Sequence, residues 1–247
     1  MDLSELIAGL DITGLSATEA VRPCRICDIT EDSRTVVPGS LFIARKGLTS
    51  DGSRYIDDAL RAGAVAILTD DDRLTTPTRT SGAPRLFAKD ILLCSAQIAE
   101  RFYGNPSREL KIAGVTGTNG KSTITYLLWQ LFNHAKVRCG LIGTVIVDDG
   151  AEVAPATMTT PPAIELSRTF ATMLDAGCTA AAMEISSHAL DQRRADALNI
   201  SVALFTNLTG DHLDYHKTME NYAAAKARLF SLLPAAPKGV AIVNSDD

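Results

Sequence analysis

The chain has 247 residues, enough for one or two domains, and 46% of them are hydrophobic. Its formal net charge of −5 gives no electrostatic reason to expect a nucleic-acid partner. No stretch reaches the roughly 18 apolar residues of a membrane span, and the start from Met1 to Ile7 lacks the basic and apolar regions of a signal peptide; the sequence therefore predicts a cytoplasmic protein with no membrane partner.

Five cysteines, Cys24, Cys27, Cys94, Cys139 and Cys178, are expected to be reduced in that compartment. Cys24 and Cys27 have metal-knuckle spacing. No second such pair or His pair accompanies them, and a structural zinc site takes four ligands, so incidental cysteines are the favoured reading.

Residues 1–108 read as a small N-terminal α/β domain. Strands are predicted at 40–45, 64–69 and 85–89. A helix at 55–62 stops at Gly63, and another runs from a cap at Asp90 to Phe102. The polar stretches 30–34, 46–52 and 70–82 read as turns or solvated loops. Residues 103–107, with Gly104, Asn105 and Pro106, mark a boundary.

From 109 to 247 strand and helix alternate. Strands are predicted at 111–116, 138–147, 179–185, 200–206 and 239–243, and helices at 121–134, 162–175, 187–197 and 219–232. Such alternation implies a mostly parallel sheet with helices against it, whose ligands sit at the carboxyl ends of the strands. The last strand has little after it, so the expectation is a central domain truncated before its end. The remainder would be lost or supplied by a separate C-terminal chain.

The first strand of this domain runs into Gly117, Thr118, Asn119, Gly120, Lys121, Ser122 and Thr123, and then into a helix. Strand, glycine turn, Lys-Ser and helix is the context of a phosphate loop, or P-loop. Its backbone N–H groups and helix N-terminus receive phosphate oxygens, its lysine reaches the outer phosphates, and its Ser hydroxyl serves Mg²⁺. The usual spacing puts a glycine five residues before Gly120. Here that position is Val115, and Gly114 comes one residue earlier. Glu184 closes an apolar strand, where a carboxylate would serve a metal or position water; its other readings are a helix cap or a partner for Arg193. The segment 207–216 is dense in ligand atoms. His212 and His216 are four apart, on one face if helical, and their oxygen-rich neighbours suit Mg²⁺ better than zinc. By spacing alone, Lys226 reads as a solvated lysine on an amphipathic helix.

Taken together, these segments resemble the Mur ligases, ATP-dependent enzymes that build the peptide stem of peptidoglycan. The resemblance rests on Asp32-Ser33-Arg34 with the segment 38–42, on the loop 116–123, on Thr159-Thr160-Pro161, on residues 183–190, and on 205–216 with Ala225-Lys226. It is closest to the branch that adds the third residue, meso-diaminopimelate or L-lysine, to UDP-N-acetylmuramoyl-L-alanyl-D-glutamate through an acyl phosphate. The resemblance accounts for the shifted glycine. It implies ATP and Mg²⁺ as cofactors, and a UDP-N-acetylmuramoyl-dipeptide and an amino acid as partners.

It further implies that Ser33, Leu48, Thr49 and Ser50 hold the UDP end, and that Thr159, Thr160, Ser186, Gln192 and Arg194 bind the muramoyl-peptide. Lys121, Glu184, His212 and Lys226 would form the catalytic set. Ser122, Glu184 and His212 match metal ligands, joined by Lys226 if it is carbamylated, which reverses the spacing-based reading of that lysine. Such ligases carry a third, C-terminal domain, absent from these residues, that holds the amino acid. Alternatives are the sister ligase that adds the terminal D-alanyl-D-alanine, a non-catalytic UDP-muramoyl-peptide binding module, folylpolyglutamate synthase, against which the N-terminal unit argues, and a generic ATPase.

Overall fold

A computed structural model describes residues 1–14, 24–47, 50–74, 82–235 and 238–246. The chain divides into two compact units, Met1–Phe102 and Tyr103–Asp247.

The first unit contains α1 (Leu3–Ile7), β1 (Ile12–Thr13), β2 (Asp28–Thr30), β3 (Ser40–Ala44), α2 (Ile56–Ala62), β4 (Ala66–Thr69), β5 (Arg85–Ala88) and α3 (Ile91–Phe102). Its sheet runs β1-β5-β4-β3-β2, parallel throughout except for β1. All five residues of β3 are buried, as a strand flanked by parallel neighbours requires. Asp2 and Glu5 close a capping box on α1, an element that the composition did not reveal. Gly63 ends α2 at φ 108°, where a Cβ would lie 2.8 Å from the Pro38 Cα, so only glycine fits the turn.

The second unit contains β6 (Lys111–Thr116), α4 (Lys121–His134), β7 (Cys139–Ile142), β8 (Ile146–Asp148), β9 (Val153–Pro155), α5 (Ala163–Asp175), β10 (Ala180–Glu184), α6 (Ser187–Asp191), β11 (Ile200–Phe205), α7 (Leu213–His216), α8 (Met219–Ser231) and β12 (Val240–Val243). Its sheet order is β12-β11-β6-β10-β7-β8-β9, and only β8 runs antiparallel to its neighbours β7 and β9.

The connection from β6 passes β10 to reach β7, whereas that from β10 passes β6 in the opposite sense to reach β11. This reversal puts the helices on different faces. Ala181 and Met183 of β10 pack with Leu166 and Phe170 of α5, Leu190 of α6 and Leu229 of α8. The alternate residues Ala180 and Ala182 pack with Leu128, Trp129 and Phe132 of α4.

Two predicted elements are corrected. The single strand at 138–147 is a hairpin, because the chain turns through Gly143 and β8 pairs back on β7. The helix at 187–197 stops at Asp191, because Arg193 is left-handed at φ 54°.

Candidate active site

Parallel strands bring their carboxyl ends to one edge, and β6, β7, β10 and β11 each deliver polar residues there. The turn after β6 holds Gly117 at φ 142° and Gly120 at φ 83°. A Cβ on Gly117 would stand 1.8 Å from the Thr206 Oγ1, so the loop requires glycine there. Gly114 has a different task. It lies inside β6, where a Cβ would meet Ile185 Cδ1 at 2.8 Å and Leu229 Cδ1 at 3.3 Å, so it is a packing glycine and the shifted spacing is real.

Residues following β11 latch the turn. Asn207 O accepts from the Thr118 N–H at 2.8 Å. Asn207 Oδ1 accepts from the Asn119 N–H at 2.9 Å. The Thr206 hydroxyl donates to Asn119 O at 2.6 Å. Gly120 caps α4 without any side-chain hydrogen bond, so the first-turn N–H groups, which have no partner within a helix, face the edge. Lys121 folds back, donating to Gly117 O at 3.0 Å and Thr118 O at 2.8 Å. Burial lowers its pKa, opposed by the charges of Glu184 and Asp211.

Glu184 is only 2% exposed. It neither caps α6 nor pairs with Arg193: Ser186 caps the helix, accepting from Ala189 N at 3.1 Å, and Arg193 pairs with Asp196. Its Oε2 instead accepts from the Ser122 hydroxyl at 2.9 Å and the Thr144 hydroxyl at 3.0 Å, and its Oε1 accepts from the Thr144 N–H at 2.8 Å. Gly143 makes room: a Cβ there would meet Glu184 Oε1 at 2.8 Å.

The spacing-based reading of Lys226 as solvated is overturned. Tyr222 and Lys226, one turn apart on α8, are both 1% exposed. The Lys226 Nζ donates to Gly117 O at 2.6 Å and sits 4.4 Å from the Tyr222 ring centroid. Burial, helped by the nearby charge of Lys121, lowers its pKa to about 7. The two histidines are not equivalent. His216 is buried and its Nε2 lies 3.0 Å from the Ser187 hydroxyl, while His212, at φ 53°, stands before α7 with its ring 4.8 Å from that of His188.

Thr160 and Arg194 meet on the same edge. The Thr160 hydroxyl donates to Glu184 O at 2.9 Å and accepts from the Ser186 N–H at 3.0 Å. The Arg194 guanidinium donates to Thr160 O at 2.6 Å and Gln192 Oε1 at 2.7 Å. Thr159 is tied to Thr144 at 3.1 Å. In the first unit, Ser33 opens a short 3-10 turn capped by Asp32. Hydrogen bonds from Arg34 hold the Asp32 carboxyl down at about 2. Ser50 accepts from the Gly47 N–H through its carbonyl, and Leu48 and Thr49 lie outside the described residues. Sequence reasoning missed Thr144, Thr206 and Tyr222. Thr206 and Asn207 directly follow a strand end, which was the available signal.

The donor chemistry fits a hard divalent cation, since Ser122 and Glu184 present only oxygens. Among the described residues, no group of three His, Cys, Asp or Glu side chains is gathered for a metal. The glycine turn and uncapped helix start fit phosphate oxygens.

A parallel sheet that reverses its strand order beside a glycine turn opening a helix defines an α/β domain of the phosphate-loop class. Residues 115–247 match the Mur ligase middle domain, and residues 25–103 match the Mur ligase family catalytic domain. The chain belongs to the Mur ligase family. It is 43% identical over 248 residues to UDP-N-acetylmuramoyl-L-alanyl-D-glutamate--2,6-diaminopimelate ligase of Parabacteroides distasonis, a match covering 100% of this chain and 49% of that protein. It is 40% identical to the ligase of the same name from Clostridioides difficile, with the same coverage. A solved structure bearing that name has a TM-score of 0.78 at 30% identity, covering 100% of this chain and 47% of that one. MurF ligase from Thermotoga maritima, solved with ADP, shares the fold at a TM-score of 0.61 and 23% identity, covering 91% of this chain and 46% of that one. The chain spans about half the length of the curated relatives it matches. Among the described residues, no helix is long and apolar enough to cross a membrane.

Proposed function

We propose that this chain carries the nucleotide and UDP-muramoyl-peptide sites of a cytoplasmic, ATP-dependent ligase that joins 2,6-diaminopimelate to UDP-N-acetylmuramoyl-L-alanyl-D-glutamate. The observation that carries the reading is the Ser122–Glu184 contact of 2.9 Å at the mouth of a glycine turn, with buried Lys226 behind it. The relatives' names supply the substrates. They also favour diaminopimelate over the terminal dipeptide, whose ligases show lower structural similarity.

In the proposed reaction the D-glutamate carboxylate attacks the γ-phosphorus of ATP, and the bond to ADP breaks. The amine of the incoming amino acid then attacks the acyl phosphate carbon. Phosphate and a proton leave, and the amide remains. The chain must first bring two anions together. Lys121, held against two carbonyls, carries a positive charge that a polyphosphate would draw more strongly than neutral oxygens do. The α4 N–H groups would receive phosphate oxygens without reorganising. Ser122 and Glu184 are the residues that would hold Mg²⁺, with His212 at the rim; when bound, the ion supplies charge neutralisation at the transferring phosphoryl group. Lys226, with a pKa near 7, is partly unprotonated at neutral pH. A neutral amine can add CO₂ and release a proton, giving a carbamate that would join this set. Thr159, Thr160, Ser186, Gln192 and Arg194 would orient the peptide end, and Ser33, Leu48, Thr49 and Ser50 the UDP end.

Calorimetry with UDP-N-acetylmuramoyl-L-alanyl-D-glutamate, and with UDP-N-acetylmuramoyl-L-alanine as control, tests the proposal. Selective binding of the dipeptide form is expected. Equal binding of both would overturn the substrate assignment, and binding of neither would overturn the reading for this chain.

A further inference from the structure

Thr144 belongs to no motif, yet it holds the Glu184 carboxylate at both oxygens. Its N–H donates to Oε1 at 2.8 Å, and its hydroxyl lies 3.0 Å from Oε2 and 3.1 Å from the Thr159 Oγ1. A carboxylate only accepts, and a threonine hydroxyl has a single proton. The Thr144 hydroxyl is the donor toward both Glu184 Oε2 and Thr159 Oγ1, so its one proton is shared between them. The Ser122 hydroxyl donates to the same Glu184 Oε2. Two-point attachment sets the plane of the carboxylate, which one bond could not do.

The surroundings are shaped to the same end. Gly143 leaves the space that Oε1 occupies, and the turn through Gly143 and Thr144 is closed by the Gly143 N–H donating to Ile146 O at 3.2 Å. Thr144 is itself exposed, so its side chain contributes little to the core. Its contacts serve the rim. Thr160 fastens the neighbouring segment to the Glu184 carbonyl at 2.9 Å, so residues 159–160 are tied to Glu184 through both its side chain and its backbone.

We infer that Thr144 is a positioning residue. It aims the Glu184 carboxylate at a divalent cation shared with Ser122, and so sets how strongly nucleotide binding depends on that cation. This rests on the reading of Glu184 as the cation-side carboxylate, and the test separates the two.

The apparent affinity of the whole chain for ADP is measured by calorimetry across a Mg²⁺ titration, starting from a metal-free buffer. The proteins are wild type, Glu184→Gln, Thr144→Val and Thr144→Ser, with Trp129 emission confirming that each is folded. Thr144→Val is expected to raise the Mg²⁺ concentration at half-effect about tenfold, the scale of a hydrogen bond to a charged group. It should leave metal-free ADP binding unchanged, and Thr144→Ser should restore the wild-type midpoint to within about twofold. Equal loss of ADP affinity with and without Mg²⁺ would make Thr144 a merely structural residue and overturn the inference. So would a wild-type midpoint in Thr144→Val while Glu184→Gln loses its Mg²⁺ response. If Glu184→Gln keeps that response, the reading of Glu184 fails, and the inference falls with it.

Discussion

Replacing Lys226 by Met offers a direct test of the buried amine. The displacement of its pKa from 10.5 to about 7 corresponds to roughly 5 kcal/mol, at about 1.4 kcal/mol per pH unit. Below pH 7 the lysine is protonated in both states, and the cost of burying the charge is fully present. As the pH rises from 7 towards 10.5, the native chain releases its proton while the unfolded chain keeps it, so wild-type stability climbs. Integrated from pH 7 to pH 9, this contribution is about 2 kcal/mol. Lys226→Met keeps much of the side-chain volume but has no such slope. It also loses the bond to Gly117 O, which makes the slope, not the absolute difference, the quantity to compare. The assay is urea unfolding at pH 7, 8 and 9 in CO₂-stripped buffer, so that carbamate formation does not contribute. The emission of Trp129, the single tryptophan, reports the second unit. Parallel pH profiles for the two proteins would refute the reasoning.

Two further outcomes are expected. Gly117→Ala should weaken ADP binding more than tenfold and cost about 2 to 4 kcal/mol in thermal unfolding, because its Cβ would collide with the Thr206 Oγ1 in a backbone conformation that disfavours side chains; wild-type affinity would contradict the latch. Burial pushes the Cys139 thiol up to about 12, whereas Cys27 is exposed. Iodoacetamide at pH 8 should therefore modify Cys27 in the native chain and reach Cys139 only after unfolding, as peptide mass mapping would show.

Some of this was written in the sequence in plain form. The loop at 116–123 and the run ending in Glu184 are local: an apolar strand followed at once by the functional residue. They appear where periodicity put them. The hairpin at 139–148 was hidden because its two strands are both apolar and Gly143 alone marks the turn, and Thr144 was hidden with it. Lys226 misled for a different reason. Spacing on a helix shows which residues share a face, and a lysine on a face with Tyr222 and Leu229 reads as a solvated rim until the partner strand is known. Only the fold reveals that Gly117 O lies over that lysine. The resemblance pointed away from a solvated lysine, and it is the burial of Lys226 that overturns the spacing-based reading.

Helix α4 buries one residue completely, Thr125. Tyr126, Leu127 and Leu131 are exposed on it, while α5 sinks Leu166, Phe170 and Met173 into the core of the other face. Few buried apolar contacts mean a low free energy of local opening. The helix whose first turn would receive phosphate is thus the long helix of its unit with the fewest fully buried residues, held to β10 by the half-buried Leu128, Trp129 and Phe132. A ligand that binds only the folded state adds its own binding free energy to that anchorage. Nucleotide bound at the loop would then act on α4 as an added piece of packing at its first turn.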